Sequence, residues 1–382
     1  SGDAAVRGKL EALYREREQW QALADHLGRR AAQMTSEEAR PLHLERAEIL
    51  LERLGDTEAA LTIARAFLPD DVTAAEEIFT KCLQRDTAHP APLLALADLA
   101  RGKGDHQRAA KLLLDAAERT QAPVELGRLL AEAGALHLEQ LDDEARAIEC
   151  LEGALASDPE QVLAAEKLLA VRERQEDWAK AEPLYELLVR KTEDDKVRAD
   201  LFQRQARCAR QLGKLDQAAT ALAAAAALDL ASLPLARELA DLQAEREAWA
   251  EARAEYERAK SLTGPDTPAE IRVALCEQLA RCARQTQDDG AAVRYYEEAL
   301  ELEPGKQATL QALVELRTER GEWQEVVGLK RKLLGLATAD AERARLLEDV
   351  GDLLQEKQGD WTGAMAAYQE VLALEPDRRQ VL

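Results

Sequence analysis

The chain contains no asparagine, and its phenylalanine, tryptophan and tyrosine together make up only 4% of the residues. Val, Ile, Thr and the aromatics are sparse throughout, which removes the usual material of β-sheets. Five histidines (His26, His43, His89, His106 and His137) are dispersed, each isolated from any nucleophile. Five cysteines (Cys82, Cys150, Cys208, Cys276 and Cys282) are odd in number and never form a Cys-x-x-Cys pair. That spacing speaks against structural zinc and a disulfide framework, and predicts buried free thiols in a reducing compartment. The longest apolar stretch, Ala218 to Leu230, is mostly alanine and too short to span a bilayer. No signal peptide opens the chain.

Catalytic signatures are missing as well. There is no Gly-x-Gly-x-x-Gly, Walker-type phosphate loop, His-Glu-x-x-His or Gly-x-Ser-x-Gly. Gly102-Lys103-Gly104-Asp105 looks like a phosphate loop only superficially and reads as a turn between helices. The acid pairs Glu76-Glu77, Asp142-Asp143 and Asp194-Asp195 are expected at helix ends or turns, where the dipole favours them. No enzyme activity, metal or cofactor is expected.

What the chain has in abundance is Ala, Leu, Glu, Arg, Lys and Gln, the residues with the best helix propensity. The formal charge is −22 and the pI about 4.8. Such a surface repels phosphate backbones and anionic lipid, so neither nucleic acid nor a membrane is an expected partner. The charge either keeps the chain soluble or steers a partner with a basic patch.

Internal periodicity organises these residues. Ala-Arg-Cys-Ala-Arg-Gln occurs at 206–211 and again at 280–285, each followed by a polar turn and an alanine-rich stretch. Ala133-Gly134 leads to Asp142-Asp143, Ala147, Leu151, Ala154 and Pro159. Val350-Gly351 leads to Gly359-Asp360-Trp361, Ala364, Tyr368 and Pro376. All five tryptophans (Trp20, Trp178, Trp249, Trp323 and Trp361) follow a polar or small turn at the start of a second helix. Their dispersal argues for rings that cover turns rather than for a ligand cage.

The pattern resembles the tetratricopeptide repeat, a helix–turn–helix unit of about 34 residues. Ala280, Ala292, Tyr296, Ala299 and Pro304 fall on that family's small, aromatic and proline positions. Ala240, Ala252, Tyr256 and Ala259 do the same in a second unit, with Pro265 one place late, and Ala181, Tyr185 and Leu188 in a third. The late Pro159 and Pro376 predict one extra residue in the turns of their units. The resemblance implies an all-α, right-handed α-α superhelix (solenoid) of about ten units. They run approximately over 4–36, 40–70, 90–122, 127–160, 162–195, 199–231, 233–266, 273–306, 307–340 and 344–378. The expected organisation is N-terminal units over 1–70, an irregular extra helix or degenerate unit over 71–89, and a continuous array over 90–382. That array ends after Pro376 without a polar cap, which predicts a piece of a longer protein.

In such repeats the first helix (A) of each unit lines the concave groove where partners commonly lie. The lining positions carried over to this chain place Arg204, Arg207, Arg210, Arg237, Arg281 and Arg284 in a mid-groove cationic band. Asp241 and Glu245 lie among them, and Glu315, Glu319, Glu348, Asp349, Asp352 and Glu356 follow. Arginine's planar fork suits carboxylates, so the band either grips an acidic segment of a partner or neutralises neighbouring carboxylates on the same chain. The family's clamp for chaperone tails depends on Asn carboxamides. This chain has none, so a co-chaperone of that type is not expected.

The resemblance therefore implies a non-catalytic protein-interaction scaffold or adaptor. The Ala-, Arg- and Leu-rich, Asn-free composition is that of a high-GC bacterial genome. It is similar in texture to scaffolds that recruit polarity or motility GTPases in gliding bacteria. An envelope or periplasmic assembly domain, for polysaccharide export or secretion, is the alternative, as is a recruiting domain fused to an enzyme. The five unpaired cysteines favour the cytoplasm over an oxidising compartment.

Overall fold

The computed structural model describes residues 2–68 and 71–375, which fall in two compact units, Ser1–Lys191 and Thr192–Leu382. The described residues form α-helices with no strand, an all-α helical-repeat solenoid. In the first unit the helices are α1 (Gly2–Glu16), α2 (Trp20–Ala31), α3 (Ser36–Ile49), α4 (Thr57–Phe67), α5 (Val72–Arg85) and α6 (Ala91–Gly102). They continue with α7 (His106–Ala117), α8 (Pro123–Glu139), α9 (Glu144–Ser157), α10 (Val162–Arg174) and α11 (Trp178–Lys191). The second unit contains α12 (Asp195–Gln211), α13 (Leu215–Leu228), α14 (Leu233–Glu245), α15 (Trp249–Ser261) and α16 (Ala269–Gln285). It ends with α17 (Asp289–Leu302), α18 (Gln307–Glu319), α19 (Trp323–Leu336), α20 (Asp340–Leu353) and α21 (Trp361–Leu374).

Backbone conformation shows which helices form hairpins. Ten connections carry one left-handed residue each: Glu18, Gly55, Gly104, Asp142, Glu176, Gly213, Glu247, Gln287, Gly321 and Gly359. At these points the chain closes a helix with a Schellman-type bond, as where Lys214 N–H donates to the Ala209 carbonyl at 2.9 Å. The residue after the left-handed one is often an aspartate that caps the B helix. Asp56, Asp105, Asp143, Asp288 and Asp360 each accept a backbone N–H at 2.9–3.1 Å. Each pair flanking a left-handed residue is therefore an A–B hairpin, and α5 stands outside this pairing. The Gly102–Asp105 segment is such a turn, with Gly104 left-handed and Asp105 the cap.

A non-glycine residue in this conformation costs roughly 1–2 kcal/mol through its Cβ. Gln287→Gly is therefore expected to stabilise the second unit by a few tenths to about 1 kcal/mol, after the added chain entropy of glycine. Gly213→Ala is expected to lose roughly 1–2 kcal/mol. Urea midpoints of the two variants should move in opposite directions, and a shared direction would contradict this account of the turn.

The repeat positions pack as their sizes dictate. Ala240, Ala252, Tyr256 and Ala259, like Ala280, Ala292, Tyr296 and Ala299, are all buried, as are Ala181, Tyr185 and Leu188. Close approach is tight at Gly134 of α8, where an added Cβ would sit 2.8 Å from Leu151 Cγ on α9, and tighter at Gly351 of α20, where it would sit 2.5 Å from Tyr368 Cε1 on α21. All five cysteines are buried and none is in a disulfide.

Two expectations are corrected. Glu76 and Glu77 lie inside α5 rather than at a helix end, and Glu76 binds Lys103 and Arg108 instead of capping a helix. Asp143 and Asp194 do cap α9 and α12. The extra residue expected in the turn of unit 344–378 is absorbed within helix A. There α20 ends in a π-helical turn, Leu354–Gln358, and the same device, Leu50–Leu54, ends α3. A π turn accommodates one added residue without breaking the helix. Pro376 lies outside the described residues.

Candidate functional site

The second unit sets its A helices side by side and stitches them with ion pairs. Arg207 of α12 lies 3.6 Å from Glu238 of α14, and Arg210 lies 2.6 Å from Glu245. Gln203 also donates to Glu238. Between α16 and α18, Arg284 reaches both carboxylate oxygens of Glu319 at 3.2 Å, and Lys306 reaches Glu277 at 2.9 Å. The acidic residues further along are also engaged. Lys330 pairs with Asp349 at 2.5 Å, and Asp352 accepts the Tyr368 hydroxyl at 2.7 Å.

Four of the eight residues singled out in the sequence converge on one pocket of about 280 Å³. Arg210, Asp241, Glu245 and Arg281 line it, together with Tyr256 and Gln278. Tyr256 forms its floor. The ring is buried against Ala240, Ala252 and Leu279, and its hydroxyl donates to Asp241. Burial first, and then the Asp241 carboxylate, pushes the Tyr256 hydroxyl pKa well above the ordinary value, so the group stays a donor. Arg281 has no carboxylate partner among the described residues. Its guanidinium carbon instead lies 5.5 Å from the centre of the Trp249 ring, a cation–π arrangement.

The other four residues lie outside the pocket. Arg204 pairs with Asp200 on its own helix at 3.6 Å, Arg207 with Glu238, and Arg284 with Glu319. Arg237, half-buried on α14, makes no ion pair with a described residue. The expected cationic band is thus largely spoken for, with Arg281 and Arg237 as the uncommitted charges. The sequence pattern had placed Tyr256 among packing residues and Trp249 among turn covers, and did not assign Tyr256 to a pocket lining or Trp249 to a contact with Arg281. The recurring Trp at the start of helix B was the available signal. Arg53 lies over Trp20 at 4.8 Å and Lys357 over Trp323 at 5.5 Å, each cation coming from the following A helix or its π turn.

Among the described residues no cluster of three or more His, Cys, Asp or Glu could hold a metal ion. No described helix is long and apolar enough to cross a membrane.

A family model described as tetratricopeptide repeat matches residues 275–308 and 347–382. No curated protein is detectably similar in sequence. Among solved structures, YrrB, a TPR protein with an unusual peptide-binding site, is similar over 48% of this chain and 89% of its own, at 15% identity and a TM-score of 0.34. PilF of Pseudomonas aeruginosa is similar over 61% and 99%, at 20% identity and a TM-score of 0.30. The C-terminal part of a TPR repeat-containing protein of Cytophaga hutchinsonii is similar over 75% and 97%, at 13% identity and a TM-score of 0.36.

Proposed function

We propose that this chain, a tetratricopeptide-repeat protein, is a non-catalytic scaffold that holds a partner protein in the groove lined by the A helices of its second unit. The observation that carries the reading is Arg281. Acidic residues outnumber basic ones by 73 to 51, yet this guanidinium rests on Trp249 at the rim of a pocket, without a carboxylate. Such a cation is available to a carboxylate from outside, bound through the planar fork. An acidic segment of the partner supplies that chemistry.

The neighbouring pairs do not oppose it. The side chains of Arg207 and Arg210 are 61% and 58% exposed. Exposed pairs are worth about 0–1 kcal/mol, so a partner carboxylate can replace Glu238 or Glu245 at small cost. A binding role without chemistry is supported by the settings of the histidines: His43 packs edge-on against Phe67, and His89 lies 2.9 Å from Glu58. The five buried thiols support a reducing, cytoplasmic location. We read α5 as the remnant of a degenerate unit between two stretches of regular repeats.

Capture of partners from the native host, quantified by mass spectrometry, tests the reading. The variant Arg207→Glu/Arg281→Glu is expected to lose a partner by about tenfold or more. Arg258→Glu, on the B helix α15, should leave recovery unchanged. Equal recovery with the double variant and the wild type would overturn the proposed groove.

A further inference from the structure

The first unit holds a larger cavity, of about 960 Å³, between α3 and α4. It opens where the regular hairpin geometry is disturbed. Helix α3 runs into its π turn, and α4 stops after 11 residues, whereas α9 and α11 run to 14. The volume lies within the range of small-molecule sites, roughly 300–1,000 Å³.

The walls divide by chemistry. Ile63 and Phe67 supply a buried apolar side, with the His43 ring edge-on to Phe67 at 5.6 Å between centroids. Arg40, His43 and Arg46 supply the polar side. Arg40 is committed to Asp71 at 2.9 Å. Arg46 is different: it is half-buried, packs against Gly28 of α2, and has no carboxylate partner among the described residues. Its Nε and the Nδ1 of His43 are shielded from solvent and without hydrogen-bond partners there. Most buried or half-buried cations of this unit do have an anion: Arg30 has Glu11, Arg101 has Glu132, and the buried Arg172 has Glu152. Burial first, then the charge of Arg46, lowers the His43 pKa, so the imidazole stays neutral at pH 7 and Arg46 carries the local charge.

A partly desolvated guanidinium without a counter-charge is costly unless an anion reaches it. The one carboxylate of the lining not held by Arg40 is Glu37, which is exposed. We propose that this cavity binds an amphipathic monocarboxylate, its head group on Arg46 and its hydrocarbon body against Ile63 and Phe67. The site is independent of the partner groove in the second unit, so either can fail without the other.

Calorimetric titration of the full chain with decanoate, decylammonium and decanol, all below their micellar range, tests the proposal. Decanoate should bind with one-to-one stoichiometry, about tenfold or more tighter than decylammonium, because a charge-assisted contact is made by only one of them. Arg46→Gln should erase that preference while leaving decanol binding in place. Ala66→Trp, at an exposed lining position, should fill the cavity and abolish binding of all three. The proposal is overturned if decanoate shows no saturable binding, if decanoate and decylammonium bind equally, or if either folded variant keeps the preference. Should a variant fail to fold, the wild-type comparison of opposite charges still decides.

Discussion

Tyr256→Ala is expected to destabilise the second unit by about 3–5 kcal/mol, the usual loss for truncating a fully buried aromatic. The ring is 2% exposed and belongs to a buried cluster with Ala240, Ala252, Ala259, Leu275 and Leu279. The alanine neighbours carry only a methyl group and no rotatable side chain that could swing into the space, so little of the cavity's cost is recovered by relaxation. Tyr256→Phe separates packing from polarity. It deletes only the hydroxyl that donates to Asp241, and Asp241 is exposed enough for water to take the donor's place. A loss of about 1 kcal/mol is expected there. Trp249, packed against the same cluster, reports on this region by fluorescence. Hydrogen exchange across α14–α16 measures the local opening, which a repeat array permits without global unfolding. If the alanine and phenylalanine variants lost equal stability, the hydroxyl rather than the ring would hold the unit together, against this account.

Raising the pH from 9 to about 11 is expected to cost each unit roughly 3 kcal/mol at full extent through one buried thiol. Burial pushes the thiol pKa of Cys82 on α5 and of Cys276 on α16 from 9.0 up to about 11. Below pH 9 both the folded and the unfolded chain keep the proton, and the contribution is fully present. Between 9 and about 11 the unfolded chain releases the proton while the folded chain retains it, so stability falls as the pH rises. Above about 11 both forms are thiolates and the loss levels off. Urea midpoints measured at pH 8, 9.5 and 11 for the wild type and Cys82→Ala isolate the effect, because the lysine and tyrosine contributions are common to both. The variant starts lower at pH 8, having lost packing among Ala74, Ala75, Ile78 and Phe79. It should then fall less steeply. Parallel slopes would show that Cys82 is not held as a protonated core group.

The fold was legible because a repeat writes the same steric demand many times. Ala280, Ala292, Tyr296 and Ala299 recur as Ala240, Ala252, Tyr256 and Ala259, and each set is buried together. The turns were less legible. Glycine marks half of the left-handed positions, but Glu18, Asp142, Glu176, Glu247 and Gln287 adopt the same conformation without a glycine to announce it. The extra residue in unit 344–378 could be counted from the late Pro376. Whether it would lengthen the turn or be taken up as Leu354–Gln358 depended on helix packing that the residue count does not contain.

The candidate site divides in the same way. The resemblance to a tetratricopeptide repeat put Arg207, Arg210, Asp241, Glu245 and Arg281 on groove-lining positions of A helices, positions that recur with the period of the helix. The sequence therefore determined the all-α repeat class, the buried thiols and the helix on which each arginine stands. Tertiary structure alone decided which of those arginines are satisfied: Glu238, Glu245 and Glu319 sit 31 to 35 residues away in sequence from the cations they meet. It alone placed Trp249 beneath Arg281 and opened the cavity beside Arg46. The physical reason is range. Burial and helix periodicity are set by a residue and its near neighbours along the chain. The partner of a charge, and the space left between two helices, are set by how successive hairpins lean on one another.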